Sequence, residues 1–434
     1  MRTALLVVFL MLLPLGARAQ EAQHSHGSEP EPAAEEKSVR DIPMTRNVSG
    51  TAWQPDASPH VGLHWEAAGW EFMFHGLLFG GYDWQQGERG DDALLAVGWL
   101  MLMADREVGA GRFGARVMLS PEAFTAQHNG GYPLLLQTGE TYQGEPLRDR
   151  QHPHDLFMEL AATYTHALSN DWGFQLYAAP AGEPALGPVA FPHRLSAAPD
   201  PLAALSHHWQ DSTHISFGVL TAGLLTPMAK LEGSWFNGRE PDENRRDFDF
   251  RKLDAYSLRL SVNPTREVSA QVSYGFIPSP DVLRPDEPLH RLTASAMFHR
   301  PFGDSGLWAT TAVFGRNAEG EHGGSNSYLL ETNLDLDGRN VVFGRAEYIQ
   351  KKGHDLGLPE PLEEETFGVA ALALGYLRNF GPLGPLLPGV GVRAAVNLVP
   401  EGIESTYGSR TPVGGMVYLR LSAAPMHSDS KHSR

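Results

Sequence analysis

Hydrophobic and polar residues alternate along most of the chain from residue 70 onward. In residues 256–262 the even-numbered positions are apolar, whereas the odd-numbered positions are Ser257, Arg259 and Ser261. Residues 268–276 repeat the arrangement, again with apolar even positions. A period of two with opposite chemistry on the two faces is typical of a β-strand that meets a different solvent on each side. We therefore predict strands with one face toward lipid and the other toward a polar interior.

About sixteen such segments lie between residues 70 and 424, and four alternate so weakly that fourteen strands stay an alternative. Their connections alternate between short turns, such as 169–171 and 337–339, and long loops, of which 121–154 and 181–212 are the longest. Barrels of the bacterial outer membrane have short periplasmic turns and longer extracellular loops. The predicted fold is therefore all-β, a transmembrane antiparallel up-and-down β-barrel of about sixteen strands.

The first residues predict export from the cytoplasm. Residues 1–19 have the layout of a cleaved secretory signal peptide, with an apolar run over 4–15 and the cleavage motif Ala17-Arg18-Ala19. No later stretch supplies the roughly 18 apolar residues that a membrane-spanning helix needs. A membrane protein without such helices must be a closed barrel, since lipid cannot satisfy an open sheet edge. We expect the cell outer membrane of a Gram-negative-type bacterium as its location.

The remaining chain divides by composition. Residues 20–50 are rich in Glu, Pro and Ser and lack apolar periodicity, which predicts a disordered periplasmic leader. Residues 51–69 contain two tryptophans and predict an ordered segment that plugs the lumen or braces the first strand. Residues 70–424 make up the predicted barrel, and residues 425–434 a polar tail.

Composition and charge narrow the partners. The net charge of −17 argues against nucleic acid, because phosphate neutralisation needs clustered Lys and Arg. Cysteine is absent from the chain, so its stability does not rest on disulfides. A hydrophobic fraction of 42% suits a barrel in which only every second strand residue faces lipid. The expected partners are the lipid bilayer, small solutes or ions, and further copies of the chain in a homo-oligomer.

Charged residues of both signs fall on the polar strand faces. They can pair across neighbouring strands and fill the interior, or they can form rings of charge that set ion preference in a water-filled pore. Mixed signs give no clear selectivity, and both interpretations stay open. The predicted pore-lining residues are Arg112, Arg116, Glu159, Lys230, Glu232, Arg259, Glu331, Arg345, Glu347 and Arg393.

The two longest loops are rich in histidine and should be adjacent, because one hairpin joins them. Imidazole together with carboxylate is a competent ligand set for zinc or copper. The alternative is that these side chains hydrogen-bond the loops to each other and to the wall. No other cofactor is indicated. The candidate metal ligands are His152, His154, Asp155, His193, His207, His208 and His214.

The same loops carry apolar segments, including Leu134-Leu135-Leu136, which should fold inward and narrow the lumen. The leading hypothesis is a porin-like channel for ions or small solutes, constricted by loops 121–154 and 181–212. A metal-binding outer-membrane accessory protein for copper or zinc is the alternative. An outer-membrane hydrolase is the third hypothesis, with Ser206 beside His207 and His208, or Ser212 with His214 and Asp211, as its candidate residues. We expect no enzyme, because residues adjacent in sequence seldom face one another and the chain has no G-x-S-x-G turn.

Several short sequence motifs in these loops resemble those of a known protein family. QTGET (137–141), DRQHPHDL (149–156), GEPALGP (182–188), HHWQD (207–211) and FNGREPDENR (236–245) resemble a family of uncharacterised, porin-like outer-membrane barrel proteins of bacteria. The resemblance implies an outer-membrane barrel. It also implies an association with copper- and other heavy-metal-resistance functions, which favours the metal hypothesis.

Overall fold

A computed structural model describes residues 38–59, 61–126, 128–320 and 323–424. Within these ranges, sixteen long antiparallel strands close into a barrel, so the prediction of sixteen strands is confirmed and the fourteen-strand alternative is wrong. The predicted signal peptide, the first part of the predicted leader and the predicted tail lie outside the described residues. No helix in the described ranges is long and apolar enough to span a bilayer.

Three short strands precede the barrel, and a hairpin interrupts it. The short strands are β1 (Asn47–Ser49), β2 (Ala52–Trp53) and β3 (Leu63–Ala67). The barrel and hairpin strands are β4 (Trp70–Gln85), β5 (Asp92–Val108), β6 (Gly111–Leu119), the hairpin β7 (Tyr132–Tyr142) and β8 (Glu145–Gln151), β9 (Phe157–Ala167), β10 (Gly173–Gly182), β11 (Ser216–Leu225), β12 (Ala229–Phe236), β13 (Ala255–Val262), β14 (Val268–Ile277), β15 (Leu289–Phe302), β16 (Gly306–Glu319), β17 (Gly324–Asp335), β18 (Asn340–Lys352), β19 (Thr366–Asn379), β20 (Leu386–Leu398) and β21 (Val413–Ala423).

Helices in the described ranges are few and short, and none of them forms part of the barrel wall. The α-helices are α1 (Glu122–Thr125), α2 (His207–Gln210) and α3 (Glu404–Tyr407). The 3-10 helices are Val39–Asp41, Met44–Arg46, His128–Gly130, Phe191–His193, Ser212–His214 and Glu401–Ile403.

The barrel closes where β21 pairs with β4, with Tyr418 opposite Gly81 and Leu421 opposite Leu78. A side chain at Gly81 would collide with the carbonyl of Val417, so this seam depends on glycine. Every other barrel strand pairs with its neighbours in sequence, and β6 pairs directly with β9 past the hairpin. The seam therefore leaves no open sheet edge, as a bilayer requires.

The outer surface of the barrel is apolar. On β13, Tyr256, Leu258 and Leu260 are exposed, whereas Ser257 and Arg259 between them are buried inside. Leucine, valine and aromatic side chains are exposed in the same way on the other wall strands. A belt of exposed apolar residues around a closed barrel is the lipid-facing surface of a membrane barrel.

Replacing Leu258 with arginine should destabilise the barrel in a bilayer. Leu258 is 55% exposed at the middle of β13, where an arginine would meet hydrocarbon. We expect the free energy of unfolding to fall by about 2–4 kcal/mol, the range for arginine near the bilayer midplane. Urea-dependent refolding into phospholipid vesicles measures it, with Leu258→Met as the size-matched control. Equal stability of the arginine and methionine variants would contradict the lipid-facing assignment.

Three stretches of chain fill the interior, and we call them the first (38–58), second (121–155) and third (181–214) inner segments. The leader predicted to be disordered up to residue 50 is instead folded over residues 38–50. Its Val39 packs with Trp53, Ala167 and Leu225 in a small buried cluster, and the Val39 amide donates to the carbonyl of Asn170 at a short turn. These contacts with the barrel order a stretch that has no apolar periodicity of its own.

Candidate functional site

The predicted pore-lining residues face the interior but do not border open water. Nine of the ten are buried, and the tenth, Arg112, has a side chain 30% exposed near the short-turn rim. The inner segments cover these side chains. Without the inner segments, a barrel of this strand number would enclose an aqueous channel. The buried nine are Arg116, Glu159, Lys230, Glu232, Arg259, Glu331, Arg345, Glu347 and Arg393.

The first inner segment accepts hydrogen bonds from three cations of the wall. Arg116 Nη1 donates to the carbonyl of Gly50 at 2.8 Å. Arg259 Nη2 donates to Thr51 Oγ1 at 3.0 Å, and Lys230 Nζ donates to the carbonyl of Thr51. Residues 50 and 51 therefore lie where three wall cations converge.

The third inner segment is held by a chain of alternating charges. Arg194 lies 2.6 Å from Asp211 and 2.6 Å from Glu331 of β17. Glu331 in turn lies 3.3 Å from Arg345 of β18, and Arg345 lies 3.5 Å from Asp200. All five side chains are buried. Because buried charges are stable only when paired, this chain fixes the segment to the wall.

Two further contacts hold the same segment and bear on the hydrolase hypothesis. Ser206 Oγ donates to Glu347 at 2.7 Å and lies 3.2 Å from Gln210 Oε1. Ser212 Oγ accepts from Arg291 Nη1 at 2.9 Å. Both hydroxyls thus serve structural hydrogen bonds with carboxylate, amide and guanidinium groups rather than with the neighbouring histidines.

The second inner segment contains the β7–β8 hairpin, which the sequence did not predict. Leu134, Leu135 and Leu136 of β7 are all buried, in agreement with the expectation that this loop folds inward. Lys351 of β18 donates to Thr138 Oγ1 at 2.8 Å and ties the hairpin to the wall. The two long loops therefore occupy the lumen together.

Five histidines from these two segments form one buried cluster, which we call the histidine cluster. The ring centroid of His207 lies 5.1 Å from the ring centroid of His208 and 5.1 Å from that of His214. His154 lies 5.2 Å from His214, and His152 lies 5.4 Å from His208. The sequence suggested that these loops were adjacent, and the structure brings five of their rings into contact.

The other two candidate ligands lie outside the histidine cluster. His193 packs 4.5 Å from the ring of Trp99, with Nε2 3.2 Å from Met118 Sδ. Asp155 lies 3.5 Å from Arg245. The structure therefore does not bring the seven predicted ligands together as one group. His154 and Asp155 are adjacent in the sequence, and adjacent side chains of an extended chain point in different directions.

Nδ1 of each ring in the cluster lies within 3.7 Å of a carboxylate or carbonyl oxygen. His207 Nδ1 lies 2.7 Å from Asp211 Oδ1, and His214 Nδ1 lies 2.8 Å from the Asp211 carbonyl. The other three rings have Nδ1 nearest a glutamate. These contacts are His152 to Glu140 (3.2 Å), His154 to Glu122 (3.0 Å) and His208 to Glu240 (3.7 Å).

The opposite ring nitrogens have no such partner. Nε2 is buried without a hydrogen-bond partner in all five histidines of the cluster. Buried polar atoms are nearly always hydrogen-bonded in folded proteins, so five orphaned nitrogens in one place require an explanation.

Burial keeps most of the cluster neutral. It lowers the pKa of His207 to about 4 and that of His208 to about 3. Burial also lowers the pKa of His152 and His214, and Arg245 adds to the lowering of the His152 pKa. His154 differs, because Glu122 beside it outweighs burial and raises its pKa above the usual value. Four imidazoles are therefore uncharged near neutral pH, the form that binds metal ions.

Cavities lie at both ends of the filled lumen. The loop-side cavity, about 380 Å³, lies among the long loops and reaches His208. Eight carboxylate residues and three arginines line it, so its wall is acidic. The turn-side cavity, about 110 Å³, lies beside Val39 and Arg112 at the short turns. The inner segments occupy the space between them.

Comparison with known proteins shows the fold class. No family model and no curated protein sequence matches the chain. Among solved structures, OmpF of Salmonella typhi in complex with daunomycin matches with a TM-score of 0.53 at 9% identity, covering 83% of this chain and 100% of that one. The anion-selective porin of Comamonas acidovorans (TM-score 0.49, 10% identity, 81% and 99% coverage) and the outer membrane channel DcaP of Acinetobacter baumannii (0.46, 12%, 84% and 100%) also match.

The chain is thus a sixteen-stranded barrel with the fold of an outer-membrane porin. The implied association with heavy-metal resistance gains no support from these comparisons.

Proposed function

We propose that this protein is an outer-membrane channel for ions and small hydrophilic solutes, closed at rest by its three inner segments. The observation that carries the proposal is the charged inner wall of a sixteen-stranded barrel. Barrels of this strand number are wide enough to enclose water. A protein that only filled its interior would need no row of buried arginines and glutamates, since apolar packing is at least as stable.

The cavities at the two rims support a route through the barrel. An ion entering the loop-side cavity meets the second and third inner segments before it can reach the turn-side cavity. Passage then requires those segments to shift. Their ties to the wall are ion pairs and hydrogen bonds, which can exchange for water more readily than a packed apolar core.

Recording from the refolded protein in planar lipid bilayers tests the proposal. We expect discrete current steps separated by long closed periods, because the structure is that of the closed state. An absence of openings across a range of voltages, in both the wild type and the Arg194→Met variant that frees the third segment, would overturn it.

The acidic loop-side cavity should favour cations. Its eight carboxylate residues concentrate cations at the mouth, and this effect weakens as salt screens it. Replacing Asp281, Glu287 and Glu319 with their amides should lower the potassium-to-chloride permeability ratio, measured as a reversal potential in a salt gradient. Glu404→Gln, an exposed residue that does not line the cavity, is the matched control. An unchanged ratio in the triple variant would contradict a role for this cavity in permeation.

Assembly into a homo-oligomer stays a prediction. Sizing of the detergent-solubilised protein by light scattering tests it, since a porin-like oligomer would have a multiple of the 47.4 kDa chain mass.

A further inference from the structure

The histidine cluster has the arrangement of a metal site rather than of a hydrogen-bonded core. Histidines that bind metal through one ring nitrogen almost always donate the other N–H to a carboxylate or carbonyl oxygen, which fixes the tautomer and aims the free nitrogen. Here Nδ1 of His207 lies against Asp211, and Nδ1 of His152 lies against Glu140. The Nε2 atoms left over are buried and unpartnered.

Three of the five rings each bring a nitrogen into the same small region. His152, His207 and His208 each offer a nitrogen, and the three nitrogens lie within 4.8 Å of one another. Around a tetrahedral ion with bonds of about 2.0–2.1 Å, ligand nitrogens lie roughly 3.4 Å apart. Binding an ion would therefore bring the three rings closer together than they lie here.

The rings come from two segments that are separately fixed to the wall. His152 follows the β7–β8 hairpin, which Lys351 ties to β18. His207 and His208 belong to α2, whose preceding Ser206 is bound by Glu347. Rigid attachment from both sides is what a preorganised ligand set needs.

Access to this point is from the outside. His208 lines the loop-side cavity, whose acidic wall attracts divalent cations. A site with three nitrogen ligands leaves a coordination position for water or a further ligand, as in open sites that bind an exchangeable ion rather than in the closed four-ligand sites that stabilise a fold.

We propose that His152, His207 and His208 form a binding site inside the lumen for a divalent transition-metal cation of the zinc or copper(II) type. All-nitrogen neutral ligands favour these ions over calcium or magnesium, which take oxygen ligands. His154 and His214, with Glu122 and Asp211 behind them, continue the row of rings deeper into the barrel. Binding at the site does not depend on conduction, so a silent bilayer recording would leave it standing.

Calorimetric titration of the refolded full-length chain with Zn²⁺ tests the site. The background should carry glutamine at His24, His26, His427 and His432, because terminal histidines also bind metal. We expect one Zn²⁺ per chain, and a loss of at least about 10- to 100-fold in affinity for His208→Gln, the range seen even for the supporting groups of metal sites. The triple variant His152→Gln/His207→Gln/His208→Gln should lose the site.

His193→Gln is the matched control, because His193 is a half-buried histidine of the same inner segment outside the cluster. It should retain the affinity of the parent. Electron paramagnetic resonance of bound Cu²⁺ gives a second readout, with nitrogen hyperfine structure expected in the parent and absent in the triple variant. No binding by the parent, unchanged affinity in the triple variant, or an equal loss in His193→Gln would overturn the proposal.

Discussion

Replacing Arg194 with methionine is expected to lower the free energy of unfolding by about 3–5 kcal/mol, the cost of leaving buried charges unpaired. The Arg194 side chain is fully buried between Asp211 and Glu331, at 2.6 Å from each. Methionine fills part of the volume but neutralises neither carboxylate. We also expect the third inner segment to detach, which should raise the open probability of the channel.

Urea-dependent unfolding in vesicles and single-channel recording measure the two effects on the same preparation. Arg300→Met is the matched control, because Arg300 is exposed on β15 and its removal costs the same net charge. If Arg194→Met proved as stable and as closed as this control, the charge chain could not be what holds the segment in place.

Replacing Arg259 with methionine should release the first inner segment. Arg259 Nε donates to Glu232 at 3.0 Å, Nη1 to the carbonyl of Gly187 at 3.1 Å and Nη2 to Thr51 at 3.0 Å. Its loss leaves Glu232 with Lys230 alone and removes the tie to Thr51. The expected cost is again about 3–5 kcal/mol.

Limited trypsin digestion measures the release of the first inner segment directly. In the wild type Arg46 is buried and pairs with Asp56 at 2.7 Å. Cleavage after Arg46 therefore requires the first inner segment to leave the wall. We expect cleavage at least about tenfold faster in Arg259→Met, because exposing the bond follows the opening equilibrium. Cleavage as slow as in Arg300→Met would show that Arg259 does not retain the segment.

Much of the barrel could be predicted because strand alternation is a local signal. On β13 and β14 the faces of most residues follow from lipid outside and polar groups inside; the apolar Ala255 and Ile277 at the strand ends are buried instead. The positions of the turns also follow locally, since a strand of about ten residues crosses the bilayer before the chain must reverse direction.

The contents of the lumen could not be predicted, because distant contacts create them. Residues 38–50 have the composition of a disordered tail, and contacts with distant residues order them, among them the hydrogen bond that Arg116 donates to the carbonyl of Gly50. The β7–β8 hairpin was missed because it is neither alternating in the manner of the wall strands nor membrane-spanning.

The candidate site was predicted in part. Counting histidines located the right loops, but chain order alone could not show that Asp155 turns to Arg245 and His193 to Trp99. Glu122 and Glu140, which orient His154 and His152, lie 32 and 12 residues earlier in the sequence and carried no recognisable signal there.

A reversible lock across the lumen tests the central claim, that displacement of the third inner segment opens the channel. Ser196 Oγ lies 2.6 Å from Thr311 Oγ1 of β16, so Ser196→Cys/Thr311→Cys places two thiols within disulfide reach in a chain without other cysteines. Planar-bilayer recording should show no openings when the pair is oxidised and wild-type openings after reduction. Equal currents before and after reduction would contradict the account.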